Sequence, residues 1–257
     1  MVHSGESDRG MKASAIEFRL RMVINAAIIC LGFWAPWIEW LGMGRRTPLL
    51  VWLPLELSRM GLLRFSVAVP FVIIVGALFA AIGAILRVWG TAWLGPGTVI
   101  HNRMKAGTVM ADGPYRFVRN PLYIGLLFWL AAMTLLMPPT GALFVLIVVP
   151  IFLLRLILGE EVFLAAQLGE PYENYLCAVP RLIPRLRSSL PPSGQKPRWL
   201  IAVLSELNPI GVFLTLAVLA WSYDYRLMLK AIIITFGVNL IARVIIMGKS
   251  TAGREAE

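Results

Sequence analysis

Charged residues, cysteines and histidines are all scarce in this chain. Only 15% of its 257 residues are charged, 58% are hydrophobic, and the mean hydropathy is +0.76, which is above the range of ordinary soluble domains. Cys30 and Cys177 fit no metal or redox spacing, and His3 and His101 form no pair that could hold a metal. We therefore predict an all-α, polytopic integral membrane protein without a metal site.

Acidic residues are the rarer charge: 14 Asp and Glu stand against 24 Lys and Arg, for a net charge of +10. A nucleic-acid-binding protein would interleave basic residues with exposed aromatics, whereas these aromatics lie inside apolar runs. The basic excess is better explained by membrane topology, because cytoplasmic loops collect Lys and Arg. We expect membrane lipids as partners and no nucleic acid.

Long apolar runs predict about six transmembrane helices, since a helix of about 20 residues crosses the hydrocarbon core. The third and fourth runs are joined by the uncharged turn 138–141, which predicts a tight helical hairpin. The segment 44–61 is either a loop or a re-entrant segment. The fifth run is short, so the sequence does not decide whether it crosses the whole membrane. The six runs are 22–43, 62–86, 122–137, 142–158, 209–223 and 227–247.

The predicted organisation has four parts. A tail at 1–21 precedes a membrane core at 22–187, and a Pro-rich basic linker at 188–199 leads to a membrane extension of unknown role at 200–257. If all six runs span, 18 of the 24 Lys and Arg residues fall on one side, which also carries both termini. That side is expected to be cytoplasmic, and the membrane to be the cell's inner membrane.

The densest polar cluster runs directly into the third span. Its Asn120 falls at a predicted N-cap and Pro121 at the first helical position, where a missing amide hydrogen costs nothing. A helix N-terminus next to Arg116 and Arg119 favours a carboxylate or phosphate ligand. The alternative is that these arginines are topology anchors and that the neighbouring tyrosines form an interfacial aromatic belt.

A second cluster, formed by Arg155, Glu160 and Glu161, closes the hairpin. Acidic residues at a membrane-embedded helix end are costly unless paired, so they are functional candidates, although an interfacial charge pair that sets helix depth is the alternative. Arg155 and Glu160 are separated by roughly 140° around a helix, so they need not pair with each other. The short turn predicts that 115–123 and 155–161 lie together at one depth.

Several short motifs follow one another between roughly residues 60 and 187. They are Arg87-Val88-Trp89, Leu94-Gly95, GPYRFVRNPLYIG at 113–125, Glu160-Glu161, Gly169-Glu170-Pro171-Tyr172-Glu173-Asn174-Tyr175 and Val179-Pro180-Arg181. In this order they resemble the isoprenylcysteine carboxyl methyltransferase family and its phospholipid methyltransferase relatives.

This resemblance implies S-adenosylmethionine-dependent methyl transfer to a lipophilic or amphipathic acceptor. It implies catalytic or acceptor-side roles for Arg155, Glu161 and Arg87. The cofactor would contact Tyr115, Arg119, Asn120, Pro121, Tyr123, Gly125, Glu160 and Glu161. Asn120 stands where the carboxyl methyltransferases usually have histidine, and an amide cannot titrate near neutrality.

Three questions stay open at the level of sequence. The acceptor could be a carboxylate, a phospholipid amine or a small thiol. A sterol-reductase-like membrane enzyme that uses NADPH is one rival, and a membrane transporter or scaffold without enzymatic activity is another. The lack of internal repeats argues against a transporter.

Overall fold

A computed structural model describes residues 13–35, 46–94, 109, 111–188, 190–191 and 195–252. His3, His101, Gly95 and the second part of the first apolar run lie outside these residues. All regular secondary structure in the described part is helical. The helices are α1 (Ala15–Arg19), α2 (Arg21–Trp34), α3 (Leu49–Arg59), α4 (Phe65–Leu94), a 3-10 helix at Gly113–Arg116, α5 (Pro121–Met133), a 3-10 helix at Thr134–Leu136, α6 (Pro139–Leu168), α7 (Glu170–Ala178), α8 (Trp199–Ser205), α9 (Leu207–Ser222) and α10 (Tyr225–Ala252).

Three helices in the described part are long and apolar enough to cross a membrane: α4, α6 and the Tyr225–Ala242 part of α10. The pair α8 and α9 is bent by 70° at a short break, and it counts as a fourth span if it is one broken helix. The chain is therefore an integral membrane protein by the length and composition of its helices.

The expectation of six full spans is not confirmed. Helix α2 has 14 described residues, and the third run forms only α5 and a 3-10 turn, from Pro121 to Leu136. Sixteen helical residues rise ~24 Å, which is less than the hydrocarbon thickness of about 30 Å. The prolines at 138 and 139 set this limit, because neither can continue a helix from its N-terminal side.

The segment 46–63 contains helix α3, and one face of this helix packs against the rest of the protein. The backbone amide of Leu49 donates to the carbonyl of Met137 at 2.8 Å, and Pro54 in the middle of α3 is buried. Helix α3 also packs along α4. The segment therefore forms part of the fold next to the turn between α5 and α6.

Helix α4 is the centre of the packing. Its widest interfaces are with α5 and α9, and it also contacts α3 and α8. A Cβ atom at Gly83 would lie 2.8 Å from the backbone nitrogen of Trp129 and 2.9 Å from the carbonyl oxygen of Gly125. The absence of side chains at these two glycines lets the backbones of α4 and α5 touch, as small residues do between membrane helices.

A buried ion pair attaches the C-terminal helices to α4. The carboxylate of Glu206, at the break between α8 and α9, accepts hydrogen bonds from Arg87 Nε at 2.7 Å and Arg87 Nη2 at 3.0 Å. The hydroxyl of Thr91 donates to the same carboxylate at 2.7 Å. Glu206 is only 2% exposed, so its charge depends on these three donors.

We expect Glu206→Ala to destabilise the protein by about 3 kcal/mol, because it leaves the guanidinium of Arg87 without its partner. The double variant Arg87→Met/Glu206→Leu should recover most of this loss, since no charge remains to be compensated. Thermal unfolding in detergent micelles measures both effects. Glu56→Ala is the control, because the Glu56–Arg59 pair is exposed and should contribute well under about 1 kcal/mol. Equal losses from Glu206→Ala and Glu56→Ala would contradict the assignment.

Candidate functional site

The polar loop before α5 is folded onto the end of α4. Gly113 adopts a positive φ of 55° and lies against the indole of Trp93, where a Cβ atom would clash. Pro114 and Tyr115 are buried in the 3-10 helix that follows. Glycine is therefore required at 113 for both conformation and space.

A second segment, 179–185, runs beside this loop. The amide of Arg119 donates to the carbonyl of Pro180 at 2.9 Å, and the amide of Arg185 donates to the carbonyl of Phe117 at 3.0 Å. The side-chain amide of Asn120 donates to the carbonyl of Arg181 at 3.1 Å. Asn120 occupies the N-cap position of α5 as predicted, but its side chain makes no capping bond and joins the two segments instead.

Glu161 of α6 lies between two arginines from these segments. Its carboxylate is 3.2 Å from Nη1 of Arg119. Arg181 contributes Nε at 3.1 Å from both oxygens and Nη2 at 2.7 Å. Glu161 is 8% exposed. The three groups carry a net charge of +1, which favours an anionic ligand.

The neighbouring Glu160 has a different partner. The hydroxyl of Tyr123 on α5 donates to Glu160 at 3.1 Å. The guanidinium of Arg21 lies near enough to interact electrostatically with both Tyr123 and Glu160. Consecutive residues on a helix point about 100° apart. The two glutamates therefore present one carboxylate to the paired arginines and one to α5.

Tyr115 lies between this cluster and the ion pair on α4. Burial raises the pKa of Tyr115. Its phenol also interacts electrostatically with Glu160, Arg87 and Glu206. The hydroxyl is therefore a protonated donor, and it has no hydrogen-bond partner in the described part of the chain. The Nε atom of Arg119 is likewise buried without a partner there. Both donors are therefore available to a hydrogen-bond acceptor.

Arg155 lies outside this cluster of charges. Its Nη2 donates to Glu17 at 3.0 and 3.1 Å, and its carbonyl accepts from the amide of Ala13 at 3.0 Å. The backbone amide of Ser14 donates to Glu17 at 2.7 Å in a capping box, and this bond lowers the pKa of Glu17 most, followed by Arg155. Arg155 thus attaches the N-terminal helix α1 to α6.

An apolar cavity of about 260 Å³ lies between α5 and α6, and Tyr123 is one of its lining residues. Pro150 lines it and lies inside α6, where proline removes a backbone hydrogen bond and lets a helix bend. Ile151 is 58% exposed, so the cavity opens on the lipid side of the helix pair. Its other lining residues are Leu127, Leu153, Leu154, Ile157 and Leu182.

The residues expected at the cofactor mostly converge. Arg119, Asn120, Tyr123, Glu160 and Glu161 surround one site, with Pro121 buried at the start of α5. Tyr115 is adjacent. Gly125 instead contacts Arg87, since a Cβ atom there would lie 2.7 Å from Arg87 Cγ.

Sequence reasoning missed three partners: Glu17, Arg181 and Glu206. Arg181 ends a motif that already carried the family resemblance, and Glu206 is an acidic residue within an apolar stretch. An isolated acid in such a stretch is a signal for a buried partner. Glu17 carried a weaker signal, the capping-box spacing from Ser14.

Comparisons with known proteins cover the part of the chain that contains this site. Residues 71–170 match the phospholipid methyltransferase family. The chain is 46% identical over 72 residues to methanethiol S-methyltransferase of Crocosphaera subtropica, a match that covers 27% of each protein. No solved structure gives a significant match. The resemblance to membrane methyltransferases is therefore confirmed for the segment from α4 to the start of α7, which holds all the predicted site residues.

The hydroxyl of Tyr175 donates to the carbonyl of Tyr115 at 2.9 Å, and burial raises the pKa of Tyr175 so that the proton stays in place. We expect Tyr175→Phe to cost about 1 kcal/mol and to loosen the loop at 113–120. The matched control is Tyr172→Phe, because the Tyr172 hydroxyl makes no hydrogen bond within the described residues. Thermal unfolding in detergent compares the two variants. An equal effect of both would show that the hydroxyl of Tyr175 has no specific role.

Proposed function

We propose that this protein is an S-adenosylmethionine-dependent methyltransferase that acts on a lipophilic or amphipathic acceptor at the cytoplasmic boundary of the inner membrane. The observation that carries the proposal is the Arg119–Glu161–Arg181 cluster. It combines a net positive charge with the unpaired Nε of Arg119. It lies next to a second, separately held carboxylate, that of Glu160.

The chemical groups of this cofactor suit the residues present. An amino-acid carboxylate is recognised well by a guanidinium with a free donor. Arg119 has such a donor in its Nε atom. Glu160 is placed to accept from an ammonium or a ribose hydroxyl, and Tyr115 offers a further donor. Glu161 is already bonded to two arginines, so we assign it the role of positioning Arg119 and Arg181.

When bound, the cofactor supplies an electrophilic methyl group on a sulfonium. The residues of the chain contribute by holding the two reactants close and in line, an effect that alone can account for a large share of a rate enhancement. Apolar walls formed by α5 and α6 would keep water away from the reacting atoms. Asn120 holds Arg181 through its carbonyl and cannot serve as a base near neutral pH.

The cavity between α5 and α6 supports an acceptor that enters from the bilayer. Its walls are apolar, and one of them is Tyr123, whose hydroxyl donates a hydrogen bond to the Glu160 carboxylate. A carboxylate acceptor would meet the like charge of Glu160, whereas a thiol or an amine would not. We therefore favour a thiol or an amine over a carboxylate, and the partial similarity to a methanethiol S-methyltransferase favours the thiol.

Cofactor binding should depend on the arginine cluster. We expect Arg119→Gln to weaken the binding of S-adenosylhomocysteine at least 10-fold, since a hydrogen bond to a charged group contributes about 1.5–3 kcal/mol. Glu161→Gln and Asn120→Ala should also weaken it, because they release the arginines from their positions. Titration calorimetry measures the affinity.

Glu56→Gln is the matched control for this test, since Glu56 belongs to an exposed ion pair on α3. Each variant is first checked for normal membrane insertion and thermal unfolding. Wild-type affinity in Arg119→Gln, Glu161→Gln and Asn120→Ala alike would mean that the cofactor binds elsewhere.

The acceptor is tested with three compounds that share one alkyl chain and end in a thiol, an amine or a carboxylate. Purified protein is incubated with methyl-labelled cofactor and each compound, and label transfer is measured by mass spectrometry. We expect label on the thiol or the amine. Label on the carboxylate alone would overturn the acceptor assignment while leaving methyl transfer intact. Thermal stabilisation by NADPH but not by S-adenosylhomocysteine would favour the reductase, and stabilisation by neither would favour a transporter or scaffold.

A further inference from the structure

A second and larger cavity, of about 540 Å³, lies between α4, α8 and α9. We call it the α4–α9 groove. Its floor is Ala81 and Ala84 of α4, whose small side chains leave the space open, and its wall on the other side is Ile210 and Phe213 of α9. The groove is separate from the site around Glu160 and Glu161, since none of the site residues lines it.

The groove exists because α8 and α9 do not form one straight helix. The 70° bend between them moves α8 away from the axis of α9. The bend is held at Glu206, whose carboxylate is bound by Arg87 and Thr91 of α4. The groove is therefore a preformed feature of the fold, held by a buried ion pair.

The groove lies on the lipid-facing side of the molecule. Ile85, which lines it, is 63% exposed on a helix that is long and apolar enough to cross the bilayer. An empty groove in hydrocarbon loses dispersion contacts along its whole surface. The molecules available to fill it in a membrane are the lipids, so the expected occupant is an acyl chain.

One end of the groove is aromatic and basic. Trp89 and Trp199 line that end. The adjacent segment carries the exposed side chains of Lys196 and Arg198, and the amide of Arg198 donates to the carbonyl of Ala92 at 2.8 Å. This hydrogen bond fixes the basic segment to the end of α4. Tryptophan and basic residues in this order are typical of the boundary between hydrocarbon and lipid headgroups.

The dimensions fit one leaflet. From Ala81 to Ala92 a helix rises ~16 Å, which matches half of a hydrocarbon core of about 30 Å. A chain that fills the groove from Ala81 upwards would therefore reach the headgroup region at the basic segment. Lys196 and Arg198 would meet the headgroup phosphate there.

We propose that the α4–α9 groove binds one acyl chain of an anionic phospholipid, with the headgroup held by Lys196 and Arg198. This lipid is a bound structural partner of the C-terminal helices. A zwitterionic lipid would fill the groove but gain less from the two cations, because each basic residue near an anionic surface contributes about 1 kcal/mol. Two such residues predict a roughly 30-fold preference for the anionic lipid.

The test uses the full-length protein in detergent, titrated with phosphatidylglycerol or with phosphatidylcholine of the same acyl chains. Native mass spectrometry counts the retained lipids, and thermal unfolding gives the stabilisation. We expect one tightly retained phosphatidylglycerol and a roughly 30-fold weaker phosphatidylcholine. The variant Lys196→Gln/Arg198→Gln should abolish the preference, whereas Arg226→Gln/Lys230→Gln, which removes two exposed cations of α10, should preserve it.

Filling the groove separates this site from ordinary boundary lipids. Ile210→Trp and Ala84→Phe, made independently, should each release the retained lipid, and Val51→Phe on the exposed face of α3 should not. Only variants that unfold with wild-type cooperativity are compared. The two replacements lie on different helices, so lipid release can still be tested if one of the variants does not fold. Equal binding of both lipids, or retention of phosphatidylglycerol in a folded groove-filling variant, would overturn the proposal.

Discussion

The cost of an unpaired charge in a low-dielectric surrounding is the constraint on which this structure depends. Each of three carboxylates is bound by arginine from a segment far away in sequence: Glu161 by Arg119 and Arg181, Glu206 by Arg87, and Glu17 by Arg155. Breaking a pair at one of the two buried carboxylates, Glu161 and Glu206, costs several kcal/mol, whereas the Glu17–Arg155 pair is about one-third exposed. The ion pairs therefore fix the contacts between segments far apart in the chain, while close backbone packing at Gly83 and Gly125 joins α4 to α5.

The same pairs give the candidate site its precision. Arg119 is held through its backbone by Pro180 and through its side chain by Glu161, so neither its position nor its orientation depends on a ligand. Contact between Gly83 and Gly125 brings α4 and α5 together, and that contact sets the depth of the loop at 113–120. Preorganised donors of this kind suit a reaction whose main requirement is alignment of two reactants.

The sequence predicted the helical class from apolar run length, and it predicted that 115–123 lies near 155–161, as the Tyr123–Glu160 and Arg119–Glu161 contacts show. The turn itself was placed at 138–141, whereas α6 already begins at Pro139. Six spans are not confirmed: the described residues contain three or four candidate spans, and the third run ends at Leu136, just before Pro138 and Pro139. The partner of Arg87 was not predictable, because the glutamate that it binds lies 119 residues later. Such a pairing follows from how helices pack side by side, and local pattern carries no trace of it.

The separation of Arg87 and Glu206 along the chain has a consequence for biogenesis. Helix α4 is synthesised with its arginine in place, but the carboxylate that neutralises it follows 119 residues later. At translation rates of about 5–20 residues per second, the synthesis of Glu206 follows that of Arg87 by roughly 6–24 seconds. During that interval α4 must keep Arg87 near water, at the bilayer surface or within the insertion machinery. The ion pair forms only after Glu206 has been synthesised, so the packing of α8 and α9 against α4 is completed late.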